Sequence, residues 1–145
     1  MAFRGHFDQT LDAKNRLNVP AKLRPAFSDG LVLMKSHDAP CIAIFTPEGF
    51  ESFSDKFLPK LNPMSPEYQK LTRFLSGSSF DMDLDSGGRV TLNSVLLAHA
   101  GIERDVVLIG AHDRLELWAH ERWTEQEADL PDEAARIAQG LDHPS

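Results

Sequence analysis

Cysteine is nearly absent. Cys41 is the single one among 145 residues, which excludes an intramolecular disulfide framework and fits a reducing compartment. A long apolar run is also missing: no stretch approaches the ~18 residues of a membrane-spanning helix, so no membrane association is expected. The opening MAFRGHFDQT carries charge where a secretory leader needs an apolar segment, and a cytoplasmic protein is the expectation. Catalytic signatures are lacking too. The six histidines form no HExxH, and neither GxSxG nor a Gly-rich phosphate loop occurs. An enzyme is therefore the lesser reading, with no cofactor, no metal and no small-molecule substrate expected.

What is present supports a folded core. Hydrophobic residues make up 41% of the chain, with nine Phe and two Trp, which argues against disorder throughout. The length suits one ordinary domain or two small ones. The net charge of −7 is unevenly spread. Residues 1–24 carry five basic side chains against two acidic ones, whereas residues 116–145 carry eight acids and two arginines. Salt screens charges beyond a Debye length of ~10 Å, so local potential rather than the total decides whether phosphate is attracted. The first segment is the basic one.

The chain repeats itself. LDAKNRLNVPAKL (Leu11 to Leu23) lies over LDSGGRVTLNSVL (Leu84 to Leu96) at an offset of 73 residues, pairing Asp12 with Asp85, Asn15 with Gly88 and Arg16 with Arg89. The offset becomes 75 for Val32 with Val107 and for the His37-Asp38 and His112-Asp113 pairs. It returns to 73 for Ile42 with Leu115 and Phe45 with Trp118. Such small shifts belong at turns. The chain is a tandem duplication.

Each copy reads alike. HFDQTLD and FDMDLD alternate as half-buried strands do. Asp12 and Asp85 suit the turns that follow, and Asn15 and Gly88 tolerate the left-handed backbone there. RLNVP and RVTLN run back as the second arm of a hairpin. Pro20 suits the start of a short helix, and Asn93 an N-cap for a helix that Gly101 stops. Two strands follow in each copy, turning near Asp38 and Asp113. An amphipathic helix then closes each half, with Phe50, Phe53 and Phe57 on one face of the first. Between the copies, LNPMSPEYQKLTRFLSG supplies a Pro-marked connection and a helix. Neither half buries much alone, so the expectation is a mainly β (α+β) chain in which two halves pair their hairpins into one small barrel about a pseudo-two-fold axis. The boundaries are residues 7–53 and 80–126 for the repeats, 54–79 for the helical connection and 127–145 for an acidic C-terminal tail, all within a single compact unit, 1–145.

Asp-x-x-x-Arg occurs at the same turn of both copies, Asp12 to Arg16 and Asp85 to Arg89. The plain reading is a capped turn with an ion pair worth about 0–1 kcal/mol. The functional reading rests on asymmetry: the first copy adds Lys14, Lys22 and Arg24, where the second has Gly87, Val95 and Leu97. A β-ribbon carrying such bases can enter a major groove, and Lys or Arg on the helix after it can fix register on the phosphates. The His-Asp pairs are read as turn chemistry rather than metal ligands, and Cys41 as a small buried hydrophobe.

FRG at Phe3 to Gly5, TLDAKNRLNVPAKLR at Thr10 to Arg24, FLSG at Phe74 to Gly77, DSGGRV at Asp85 to Val90, and the strand ends Ile44-Phe45 and Leu117-Trp118 resemble the MraZ family, in order over residues 2–125. The resemblance implies a pair of AbrB-like swapped-hairpin units forming a double-split β-barrel, and assembly of chains into a ring-shaped homo-oligomer. It further implies a nucleoid-associated regulator of the division and cell-wall gene cluster, binding direct repeats in double-stranded DNA upstream of its own operon. By position it nominates Arg4, Lys14, Arg16, Lys22 and Arg24, and Arg89 from the second copy. The chain departs from the family pattern at Asn15, where glycine is usual, and at Leu92-Asn93 and Leu97, so its second hairpin is the less basic one. The alternative is a related swapped-hairpin antitoxin that binds a toxin as well as DNA, with the acidic tail as partner surface.

Overall fold

Turn and cap residues set the element boundaries in a computed structural model that describes residues 2–142. The first half runs β1 (His6–Thr10), β2 (Arg16–Asn18), a 3-10 helix (Ala21–Phe27), β3 (Leu31–Lys35), β4 (Ile42–Phe45) and α1 (Pro47–Ser54). A 3-10 turn at Leu58–Lys60 and α2 (Pro66–Gly77) lead into the second half. That half comprises β5 (Ser79–Met82), β6 (Arg89–Thr91), α3 (Ser94–Ala100), β7 (Asp105–Gly110), β8 (Leu115–Ala119) and α4 (His120–Asp142). Thr46, Ser65 and Asn93 cap α1, α2 and α3, each side chain accepting a backbone N–H three residues on. Gly101 ends α3 at φ 62°.

Two local details differ from the periodicity. The segment after Pro20 winds as a 3-10 helix because Pro25, inside it, has no N–H to donate and its ring crowds the preceding turn. Phe57 lies beyond α1, which stops at Ser54: Pro59 biases its neighbour away from helical backbone, and the chain tightens into the 3-10 turn. Phe57 still stacks on Phe53, ring centroids 5.1 Å apart.

The halves exchange strands. β1 pairs with β7, setting Phe7 opposite Leu108, and β5 pairs with β3, setting Phe80 opposite Leu33. β4 pairs with β8 and β2 with β6, all antiparallel. The result is a six-stranded sheet of order β1-β7-β8-β4-β3-β5 beside the two-stranded β2-β6 ribbon. That order reads the same when the halves are exchanged. So do the registers: Ala43 faces Glu116 with Ile42 on Leu117 and Ile44 on Leu115, and Leu17 faces Val90. A pseudo-two-fold axis therefore passes through both pairs. The arms of each Asp-x-x-x-Arg turn thus do not zip onto one another. A lone two-stranded ribbon is marginal in water, and crossing over gives every arm a buried partner from the other half.

The core confirms why β3 and β4 are continuously apolar. Leu31, Leu33, Ile42 and Ile44 join the main core with Leu17, Val90, Leu108 and Leu117, while Val32, Met34, Ala43 and Phe45 face the other way. There α1 and α2 cover them with Phe53 and Leu75. Strands buried on both faces lose the alternation of a one-sided sheet. In the second half the corresponding outer face holds Val107, Trp118 and Trp123, together with Cys41.

Candidate nucleic-acid interface

The exchange of strands brings the two Asp-x-x-x-Arg turns side by side at the β2-β6 ribbon. Asp12 Oδ1 accepts the backbone N–H of Lys14 and of Arg16, both at 2.9 Å, and its Oδ2 accepts Arg16 Nε at 2.7 Å. Asp85 repeats the pattern with the N–H of Gly87 and Arg89 at 2.9 Å and Arg89 Nε at 3.1 Å. Asn15 and Gly88 take the left-handed backbone at φ 59° and 77°. Their carbonyls accept across the axis, from Leu92 N–H and Val19 N–H respectively. Arg16 Nη1 also comes within 3.8 Å of Asp85 Oδ2. The capped-turn reading of the aspartates therefore holds. Each carboxyl is held below its usual range, chiefly by the N–H of the arginine four residues on.

The nominated cations occupy different situations. Lys14 stands exposed at the tip of the first turn. Lys22 lies 5.1 Å over the Phe7 ring, a cation–π placement that leaves its charge at the surface. Arg24 is half-buried: its Nε donates to the Val19 carbonyl at 2.8 Å and its Nη2 to Asn18 Oδ1 at 2.9 Å. It packs directly over Gly88 of the second turn, where any Cβ would collide with the guanidinium. Arg16 and Arg89 share their charge with the aspartates, and the Arg16 side chain is only 25% exposed. Arg4 stands apart. It lies beyond the far end of β1, where Phe3 bridges His112, roughly 25 Å along extended chain from Asp12. The structure gathers Lys14, Arg16, Arg24 and Arg89 around the paired turns; Lys22 lies over Phe7, whose ring reaches Gly5, and Arg4 is at the far end of β1.

Asn18, as the anchor of Arg24, escapes spacing arguments because it depends on how β2 bends into the 3-10 helix, and the reach of Arg16 to Asp85 because it depends on which half supplies the neighbouring turn. The His-Asp pairs sit in turns: Asp113 pairs with Arg114 at 3.0 Å and Lys56 at 3.3 Å, and the His112 backbone is at φ 70°. Among the described residues, no three His, Cys, Asp or Glu side chains are grouped to hold a metal ion. Cys41 is fully buried, and burial pushes its thiol up to about 12, with the Glu116 charge adding to the effect.

A family model for the MraZ protein, described as antitoxin-like, matches the chain twice, at residues 2–74 and 75–140. The Transcriptional regulator MraZ of Lactobacillus helveticus is 34% identical over 140 residues, covering 97% of this chain and 96% of its own. That of Symbiobacterium thermophilum is 34% identical over 137 residues, covering 94% and 98%. That of Hydrogenovibrio crunogenus is 32% identical over 137 residues, covering 92% and 90%.

Proposed function

The chain belongs to the MraZ family, and from that premise we propose that it is a DNA-binding transcriptional regulator whose reading face is the pair of Asp-x-x-x-Arg turns. The observation that carries the proposal is the one-sided charge of a two-fold frame. Lys14, Lys22 and Arg24 all come from the first copy, Lys14 at its turn, Lys22 over Phe7 and Arg24 over the second turn, while Gly87, Val95 and Leu97 stand at the matching places of the second copy. Folding alone has no need for the exposed charges of Lys14 and Lys22. Lys14 and Lys22 meet phosphates. Arg16 and Arg89, pre-aimed by Asp12 and Asp85, present the ends of their guanidinium groups to base edges. Arg24 braces the second turn and Arg4 adds a remote phosphate contact.

In this reading the targets are direct repeats upstream of the chain's own operon in the division and cell-wall gene cluster, met at the nucleoid. The working form is a ring of chains, each a single unit of two repeats. One protomer offers few bases, and linked sites gain ~10²–10⁴ in avidity when spacing matches. No cofactor or small-molecule substrate takes part.

The test is a titration of the protein against its upstream duplex and a scrambled control over a range of salt. Affinity for the upstream duplex is expected to be higher and to fall at a log–log slope of about −0.9 per phosphate neutralised. Lys14→Ala and Lys22→Ala should each lower that slope by about 1 without altering preference. Arg16→Ala should cost about 1–3 kcal/mol of preference if it reads a base. Absence of binding to both duplexes at low salt would sink the proposal.

A further inference from the structure

Beyond Trp123, the last buried residue of α4, the helix runs on through residues 124–142, and every one of these is exposed. A helix extension of about 28 Å with nothing packed on it is marginal in water, and Pro131 and Gly140 weaken it further. Its pattern is not that of a solvated arm. Leu130, Ala134, Ile137 and Leu141, spaced four, three and four residues apart, form one stripe, and Leu130, Ile137 and Leu141 are 40%, 65% and 76% exposed. Glu127 and Glu133 border the stripe on either side. Residues 124–142 carry six acids against one arginine, Arg136.

The connection between the halves has the opposite character. Residues 56–73 carry Lys56, Lys60, Lys70 and Arg73 against one acid, Glu67. All four bases are exposed, and among them stand Phe57, 36% exposed, and Met64, 84% exposed. The inner face of α2 is already used against Phe45 and Phe53, so what remains outside is basic with apolar points.

We propose that the α4 extension of one chain docks on the 56–73 connection of a second copy. The apolar stripe would meet Phe57 and Met64, and its glutamates the surrounding lysines. Pairing of two α4 extensions with each other is disfavoured, because Glu127 and Glu133 would border the seam on both sides. The two surfaces differ, so the contact is head-to-tail: each chain keeps a free helix and a free connection, and the series ends only by closing on itself. The inference rests on the reading of the chain as a homo-oligomer and says which surfaces make it.

The test uses the full chain and follows its mass by sedimentation velocity across concentration, with circular dichroism to confirm folding. Glu127→Lys with Glu133→Lys in one variant, and Lys60→Glu with Lys70→Glu in another, should each raise the dissociation constant of the assembly at least tenfold. An equimolar mixture of the two should recover assembly, since swapped charges then face one another at alternate contacts. Ile137→Glu should disrupt assembly with no such rescue. If the wild-type chain stays monomeric, the homo-oligomer reading fails and this inference with it. If wild type assembles and the charge variants match it, the inference alone is overturned. Sensitivity to Ile137→Glu without sensitivity at Lys60 and Lys70 would also overturn it, placing the helix on another α4 or on a different protein.

Discussion

Asp12 and Asp85 each hold a turn closed with one carboxylate, satisfying two backbone N–H groups and an arginine. Both are lowered from the ordinary 3.8, so they favour the fold fully at pH above that value. The contribution disappears as pH falls through the lowered values. Thermal melts should therefore show stability dropping on acidification below about pH 4, and the double Asn variant of Asp12 and Asp85 should show a shallower drop from a lower neutral-pH starting point. Gly88 permits both the φ of 77° and the close approach of Arg24. Gly88→Ala should dislodge that guanidinium and cost about 1–2 kcal/mol, measured by denaturant titration. Cys41 behaves oppositely to a reactive thiol: buried, with its pKa near 12, it should resist an aromatic disulfide reagent at neutral pH until the chain is unfolded.

Element by element, what depends on neighbours in sequence was legible. The Asn93 cap, the Gly101 stop, the αL positions Asn15 and Gly88, and the continuous apolar runs of β3 and β4 all follow from local chemistry. Thr46→Ala or Asn93→Ala should accordingly lower stability by about 1 kcal/mol each, and Leu17→Ala, at the axis, by about 2–5 kcal/mol. That the halves pair about a pseudo-two-fold axis followed from the repeat and the family resemblance, but which strand mates with which was not legible in the strand patterns. HFDQT reads as a half-buried strand whether it lies on its own return arm or on β7, because alternation records that a face is buried and not by what. For the same reason the cluster of Lys14, Lys22 and Arg24 could be nominated from the repeat, but the anchoring of Arg24 on Asn18 and over Gly88 could not. Arg4, near the others in sequence, is far from the paired turns because β1 is extended.

On the scale of the whole molecule, the axis through Leu17/Val90 and Ala43/Glu116 makes each half the missing partner of the other. A chain limited to residues 1–77 leaves β1 and β2 without mates and strips the β3–β4 pair of its outer neighbours β5 and β8. It should have no folded monomer; circular dichroism should show structure rising with concentration, as second copies supply the places of β6, β7 and β8. A helical signal and sheet that persist unchanged at high dilution would refute that. In the proposed DNA-binding reading, the same axis bears on how a duplex would lie against the paired turns. A perfect dyad treats the two senses of a double helix alike, so a bound segment could be turned end for end at no cost. Because Lys14, Lys22 and Arg24 have Gly87, Val95 and Leu97 as their two-fold mates, the frame becomes an arrow. If the turns receive a duplex as proposed, its two polarities are then unequal in energy, and chains joined head to tail as proposed would all point the same way along it.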